Sequence, residues 1–170
     1  MPRNIEIKVR IADMNQARAV CTSLGAHPLG TEEQTDRYYA TDATRRLKLR
    51  TISGRPAELI EYRRPETAGV RASDYSIAPV RDATAGVCLV PSGPPLVMVH
   101  KRREVLLWHN VRIHLDIVDG LGTFLELEAI VDERHDDAAC RAQVAELMGA
   151  LALSESDLIA ASYADLVSES

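Results

Sequence analysis

Asn4-Ile5-Glu6-Ile7-Lys8-Val9-Arg10-Ile11 alternates without a break between polar and branched apolar side chains. A β-strand sends successive side chains to opposite faces, so Asn4, Glu6, Lys8 and Arg10 share one face and Ile5, Ile7, Val9 and Ile11 the other. The polar face carries full charges of both signs. The same two-residue period returns downstream in Arg46-Leu47-Lys48-Leu49-Arg50 and in Leu59-Ile60-Glu61-Tyr62-Arg63-Arg64. Between them Ser53-Gly54-Arg55-Pro56 has the composition of a hairpin turn. Val97 to Val105 and Val111 to Val118 form a second pair about a turn near His109-Asn110, and Phe124-Leu125-Glu126-Leu127-Glu128-Ala129-Ile130 adds a further strand. Gly, Pro, Ala and Asp dominate between Pro65 and Pro95, where Asp74 to Val80 is the clearest strand.

Three segments change to a helical period. Asp13 can cap a helix carrying Met14, Ala17, Val20, Cys21 and Leu24 and ending before Gly25. Ala139, Val144 and Leu147 fit a helix from Asp136 to Met148, ended by Gly149. A final helix is expected from Ser154, with Asp157 at the capping-box position and Leu158, Ile159, Tyr163 and Leu166 turned toward the body. The pattern is that of an α+β domain dominated by antiparallel sheet. No repeat or low-complexity tract interrupts it, and one domain over residues 1–170 is expected.

Composition narrows the class. The chain holds 20 Lys and Arg against 25 Asp and Glu, a formal net charge of −5, which argues against a nucleic-acid coat or a polybasic membrane binder. One Phe and one Trp give little for base stacking. Cys21, Cys88 and Cys140 are far apart and odd in number, offering neither a disulfide framework nor paired metal-ligand spacing. Without an apolar run near the ~18 residues of a span or a signal-peptide core, neither membrane insertion nor secretion is expected. A reducing cytoplasm is the expected compartment.

The pairs Glu6 and Lys8, Lys48 and Arg50, Lys101 and Arg103, Arg112 and Asp116, and Glu126 and Glu128 each share a strand face. Two geometries accommodate them. The charged faces can look to water over an aliphatic core, as in ordinary antiparallel sheets. Alternatively the sheet closes into a barrel with charges inside and Ile, Leu and Val outside, under the helices. Several Lys and Arg side chains in one lumen would repel one another unless a polyanion or carboxylates compensated them, and a triphosphate would do so. Arg offers planar multiple donors and Lys a compact charge, while Glu6, Asp116, Glu126 and Glu128 offer hard oxygens suited to Mg²⁺ or Mn²⁺. There is no Walker-type loop, dinucleotide-binding glycine pattern or zinc signature. His114 shares the candidate inner face without a His or Cys cluster beside it, which favours a structural or substrate-contacting role over metal ligation.

At this point the chain resembles the CYTH superfamily, the triphosphate tunnel metalloenzymes, which includes class IV adenylyl cyclases and thiamine triphosphatases. It looks most similar to small bacterial proteins of the class IV adenylyl cyclase type. The resemblance rests on Asn4-Ile5-Glu6-Ile7-Lys8, Gln34-Thr35-Asp36-Arg37-Tyr38-Tyr39, Arg46 to Arg50, Tyr62-Arg63-Arg64-Pro65, Ser73-Asp74-Tyr75, Lys101-Arg102-Arg103, Arg112 to Asp116, Gly120 to Glu128 and Ser162-Tyr163-Ala164-Asp165-Leu166. These segments span nearly the whole chain in family-like order.

The resemblance implies an eight-stranded antiparallel β-barrel forming a tunnel with flanking helices. It also implies a triphosphate-bearing small molecule as partner, ATP among the candidates, with divalent ions. Carried over, Glu6, Asp116, Glu126 and Glu128 become the metal side. Lys8, Lys48, Arg50, Arg64, Lys101, Arg103 and Arg112 become the phosphate side, with Lys8, Lys101, Arg103 and Arg112 closest to the chemistry. Asn4 and His114 are auxiliary. Asn4 stands where the family signature has its first Glu; an amide oxygen brings no negative charge, so weaker binding of one metal or fewer ions is expected. The activities implied are ATP cyclisation, triphosphate hydrolysis, or noncatalytic phosphometabolite binding. Related proteins often dimerise, and the aliphatic outer faces make a homodimer the expectation here.

Overall fold

The computed structural model describes residues 2–41, 45–65, 67–81, 85–86 and 89–170. In chain order the elements are β1 (Arg3–Arg10), α1 (Met14–Ser23), β2 (His27–Tyr39), β3 (Arg45–Ile52), β4 (Ala57–Arg63), β5 (Arg71–Val80), β6 (Val97–Trp108), β7 (Val111–Val118), β8 (Gly122–Ile130), α2 (Asp137–Ala150), a 3₁₀ turn (Glu155–Asp157) and α3 (Tyr163–Ser168). The strands close into a barrel in the order β1-β5-β4-β3-β2-β6-β7-β8. Every pairing is antiparallel. The expected α+β architecture with an eight-stranded antiparallel barrel is the one observed.

The barrel is inverted. Ile5, Ile7, Val9, Ile113, Leu115, Leu125 and Leu127 point outward from β1, β7 and β8 into one cluster with Ala17 and Cys21 of α1 and Cys140, Val144 and Leu147 of α2. The main core therefore lies between barrel wall and helices, where each buried Leu or Ile contributes about 1.5–3 kcal/mol. The opposite parity faces the lumen, and of the two geometries left open by the sequence the charge-lined barrel is the one formed. Caps hold the helices as expected: Asp13 accepts from the Gln16 N–H and Asp136 from the Ala139 N–H. Among the described residues no helix is long and apolar enough to cross a membrane. Cys21 and Cys140 are buried free thiols, and Cys88 lies outside the described residues.

Two elements depart from the sequence expectations. The longest strand, β2 with 13 residues, has no hydropathy alternation because both its faces are polar. Gln34, Asp36 and Tyr38 face inward and are buried, while Glu33, Thr35 and Arg37 lie on the outer face. The expected final helix is instead a 3₁₀ turn followed by a separate helix. The Ser154–Asp157 capping box is present, but it closes only Glu155–Asp157. Leu158 then becomes extended to bridge Val9, and the Ile159 N–H donates to the Lys8 carbonyl at 2.9 Å. Burial of Leu158 against the barrel overrides helix propagation. A second capping box, Ser162 with Asp165, starts α3.

α3 completes one end of the barrel. Tyr38, Val99, Val118 and Phe124 continue the inward parity of Asp36, Lys101, Asp116 and Glu126, and they pack with Tyr163 and Ala164 into a small apolar cluster. Among the described residues, this cluster covers the lumen along β2, β6, β7 and β8 at the end where β1 finishes.

Candidate functional site

The lumen holds a cavity of about 450 Å³ lined by nine Lys or Arg side chains and five Glu, a balance opposite in sign to that of the whole chain. Register creates the clusters. Pairing of Asp36 with Arg50 and of Tyr38 with Lys48, and of Gln34 with Lys101 across the other edge of β2, gathers three cations on one carboxylate. Asp36, 0% exposed, accepts from Arg50 Nε at 2.7 Å, Arg50 Nη2 at 2.9 Å and Lys48 Nζ at 2.9 Å, with Lys101 Nζ at 3.5 Å. Burial alone would raise the Asp36 pKa, but Arg50, Lys48 and Lys101 together hold it well below the usual carboxylate range. Burial, with Arg50 adding to it, pushes Lys48 down to about 7 although Asp36 opposes the shift. Burial and Arg103 lower Lys101 as well. The sign of the linkage follows: Lys48 is a base depressed in the folded state, so its contribution to stability rises as pH climbs from about 7 toward its ordinary 10.5. An anion placed against it would return the proton.

Arg103, facing Asp116 across β6 and β7, anchors a second cluster. It donates to Asp116 through Nε at 2.7 Å and Nη2 at 2.6 Å, and to Glu126 Oε2 at 2.7 Å. The Tyr163 hydroxyl donates to Asp116 Oδ2 at 2.8 Å. Asp116 is thus fully buried behind Arg103, and it is not among the residues lining the cavity. Glu6 is held by Arg64 at 2.6 Å and Arg71 at 3.2 Å. Arg71 also donates to the Ala160 carbonyl at 2.7 Å, tying the C-terminal segment to the wall. Lys8 Nζ lies 3.2 Å from the Ala161 carbonyl, 3.4 Å from Glu126 and 3.9 Å from the Tyr163 ring centroid. Burial lowers Lys8 to about 8, with Glu126 opposing the shift.

His114, Glu126 and Glu128 each offer one ligand atom, all within 4.8 Å of one another. Their gathering follows from register, which pairs Lys8 with Glu126 and Glu6 with Glu128 on one side of β8, and His114 with Glu126 and Arg112 with Glu128 on the other. Arg112 lies 3.2 Å from Glu128. Asn4 Oδ1 and His114 Nδ1 are buried without a hydrogen-bond partner. Two hard carboxylates beside an unsatisfied imidazole nitrogen make a donor set that fits a divalent cation.

Of the residues singled out from sequence, Asn4, Glu6, Lys8, Lys48, Arg50, Arg64, Lys101, Arg103, Arg112, His114, Glu126 and Glu128 all line this cavity, and Asp116 stands behind it. All four carboxylates have an arginine partner, and of the four Glu126 and Glu128 are the two brought together with His114. Sequence reasoning missed Asp36, Gln34, Arg71 and Tyr163. The alternation Glu32, Gln34, Asp36, Tyr38 was the signal for the first two, concealed by the equally polar outer face of β2.

Comparison with known proteins agrees with this geometry. A curated protein of Methanocaldococcus jannaschii, named as a candidate adenylate cyclase, is 26% identical over 95% of this chain and 97% of its own length. A Pyrococcus horikoshii protein superposes with a TM-score of 0.83 at 22% identity, covering 96% of this chain and 98% of that one. A Hippeastrum protein, a candidate adenylyl cyclase described as having a dominant triphosphatase activity, shares the fold with a TM-score of 0.58 at 16% identity over 86% of each chain. Residues 2–163 match the CYTH domain, and with the charge-lined antiparallel barrel this places the chain in the CYTH domain family.

Proposed function

We infer that this chain is a divalent-metal-dependent adenylyl cyclase that converts ATP to cyclic AMP and pyrophosphate in its lumen. The observation that carries the reading is the surplus of cations on Asp36: Lys48, Arg50 and Lys101 share one carboxylate. Such a cluster stays costly until an anion of several charges joins it. A triphosphate is the matching ligand, and the name of the M. jannaschii relative favours ATP.

CYTH proteins in general depend on a divalent metal, and Glu126, Glu128 and His114 are the residues that would hold Mg²⁺ or Mn²⁺ here. Once bound, the ion would neutralise phosphoryl oxygens and favour attack at phosphorus. The protein's own part is positioning and charge. Arg50, Arg64 and Arg103 supply planar donor pairs that fix a polyphosphate chain, and Lys48 and Lys101 add point charges. Asp116 and Tyr163 orient Arg103 from behind. Held in this way, the α-phosphorus can be approached in line by the ribose 3′ oxygen while the cations stabilise charge growing on the leaving pyrophosphate.

A triphosphatase is the second reading, favoured by the activity described for the Hippeastrum neighbour and by Lys8. At about 8, the Lys8 amine is close enough to neutral to orient or deprotonate an attacking water. Incubation with ATP, thiamine triphosphate and inorganic triphosphate, each with Mg²⁺ and with Mn²⁺, separates the readings by product. Cyclic AMP and pyrophosphate from ATP are expected. Orthophosphate without cyclic product would establish hydrolysis instead, and tight binding without either product would leave a phosphometabolite binder.

A further inference from the structure

Lys8 and Lys101 stand on β1 and β6, which β7 and β8 separate in the closed barrel. Register fixes neighbours on adjoining strands only, so no ladder sets the spacing of these two ammonium groups. Both are buried, at 4% and 3% exposed, and like charges in a dehydrated space repel. Their carboxylate partners hold them loosely. Lys8 Nζ is 3.4 Å from Glu126 and Lys101 Nζ is 3.5 Å from Asp36, against the ~2.7–2.9 Å of a close charge-assisted bond.

One aromatic ring meets both. Lys8 Nζ lies 3.9 Å and Lys101 Nζ 4.9 Å from the Tyr163 ring centroid, and an aromatic face attracts a cation within about 6 Å, most strongly where water is excluded. A carboxylate in this place would compete with a polyanion for the lysines; an uncharged ring holds them and leaves their charge for the ligand. The ring is held in turn. It packs edge-on against Phe124 with centroids 5.0 Å apart, and the Ser162–Asp165 capping box fixes the start of α3 where Tyr163 stands. Its hydroxyl donates to Asp116, which holds Arg103 at 2.7 and 2.6 Å. Three of the four cations placed nearest the chemistry, Lys8, Lys101 and Arg103, are thus tied to one side chain. Glu126 also links Lys8 to Arg103, but a metal ion bound there would draw on the same carboxylate.

We propose that Tyr163 is a positioning residue with two separable parts: its ring sets the spacing of the Lys8 and Lys101 ammonium groups, and its hydroxyl, through Asp116, sets the orientation of Arg103. The inference rests on the catalytic polyphosphate reading above, but it does not depend on whether the chemistry is cyclisation or hydrolysis.

Steady-state kinetics with ATP and with inorganic triphosphate in Mn²⁺ test it on the wild-type chain, Tyr163→Phe and Tyr163→Leu. Tyr163→Phe keeps the ring and drops only the hydroxyl, and its kcat should fall roughly tenfold. Tyr163→Leu removes both parts and should lose about 100-fold, the scale of a ~1 Å misplacement in a reacting array. In both variants KM should change by less than about threefold, because misplacement is felt more in the transition state than in the ground-state complex. A residue that only packs α3 would lower the melting temperature and leave kcat of the folded chain at the wild-type value. Wild-type kcat in folded Tyr163→Leu would therefore overturn the proposal, as would equal kcat in the two variants or an effect confined to KM. If Tyr163→Leu does not fold, Tyr163→Phe alone decides, and wild-type kcat in it overturns the proposal. Failure of the wild-type chain to turn over either substrate would instead remove the catalytic reading on which the proposal rests.

Discussion

Asp36→Asn is expected to lower the melting temperature on the order of 10 °C in the absence of ligand. The carboxylate is the shared counter-ion of Lys48, Arg50 and Lys101. Removing one member of a buried ion pair typically costs about 3–5 kcal/mol because the partner is left desolvated and unpaired, and here three partners are stranded. For a chain of this size each kcal/mol corresponds to roughly 2–4 °C. The loss should depend on pH in a defined direction. Lys48 is already depressed to about 7 with Asp36 present, and loss of the carboxylate depresses it further. Near pH 5 the variant must keep the charge buried and the penalty is greatest; toward pH 8 Lys48 is free to shed its proton and the penalty shrinks. Inorganic triphosphate should restore more of the melting temperature in the variant than it adds to wild type. Thermal denaturation at pH 5, 7 and 8, with and without triphosphate, measures all three effects. A melting temperature unchanged at pH 5 would contradict the central role assigned to Asp36.

Glu126→Gln should reduce metal-dependent turnover at least about 100-fold while leaving the fold intact. Glu126 is placed between Arg103 at 2.7 Å, Lys8 at 3.4 Å and His114 at 3.5 Å. Arg103 and Lys8 are the largest influences overcoming burial, holding its carboxyl well below the ordinary range and keeping it available as an anion. Gln is nearly isosteric but neutral, so the cavity keeps its shape and loses one charged oxygen donor. Replacing even an outer-shell partner of a metal ligand costs about 10–100-fold, and loss of a direct ligand should meet or exceed the upper figure. Initial rates across a Mn²⁺ titration, with circular dichroism as the folding control, provide the measurement. A wild-type rate and metal response in the variant would remove Glu126 from the metal site.

The barrel was legible where the hydropathy pattern was one-sided. β1, β7 and β8 alternate charged with aliphatic residues because one face meets the lumen and the other packs under α1 and α2. β2 was illegible for the same physical reason turned round: its middle meets solvent on the outside and charges on the inside, so hydropathy has nothing to alternate between. That gap concealed Asp36 as a site residue, although the segment holding it carries part of the resemblance and its cation partners Lys48, Arg50 and Lys101 had been singled out. The C-terminal segment failed differently. Its capping signals were both genuine, but the choice between one helix and two was settled by Leu158 reaching Val9, a contact about 150 residues away in sequence that no local rule contains. Roles within the site needed distances as well as parity. Glu6, Asp116, Glu126 and Glu128 are equivalent by strand face and each has an arginine partner, yet of the four Glu126 and Glu128 are the two that converge with His114.

The apolar cluster of Tyr38, Val99, Val118, Phe124 and Tyr163 covers one end of the lumen along β2, β6, β7 and β8, which directs traffic toward the opposite end. A ligand that enters phosphates first must leave phosphates last. A product split from the head side departs before the pyrophosphate beneath it, and free pyrophosphate should compete with incoming nucleotide, whereas cyclic AMP should inhibit only weakly. Steady-state product-inhibition patterns would record that sequence of departure.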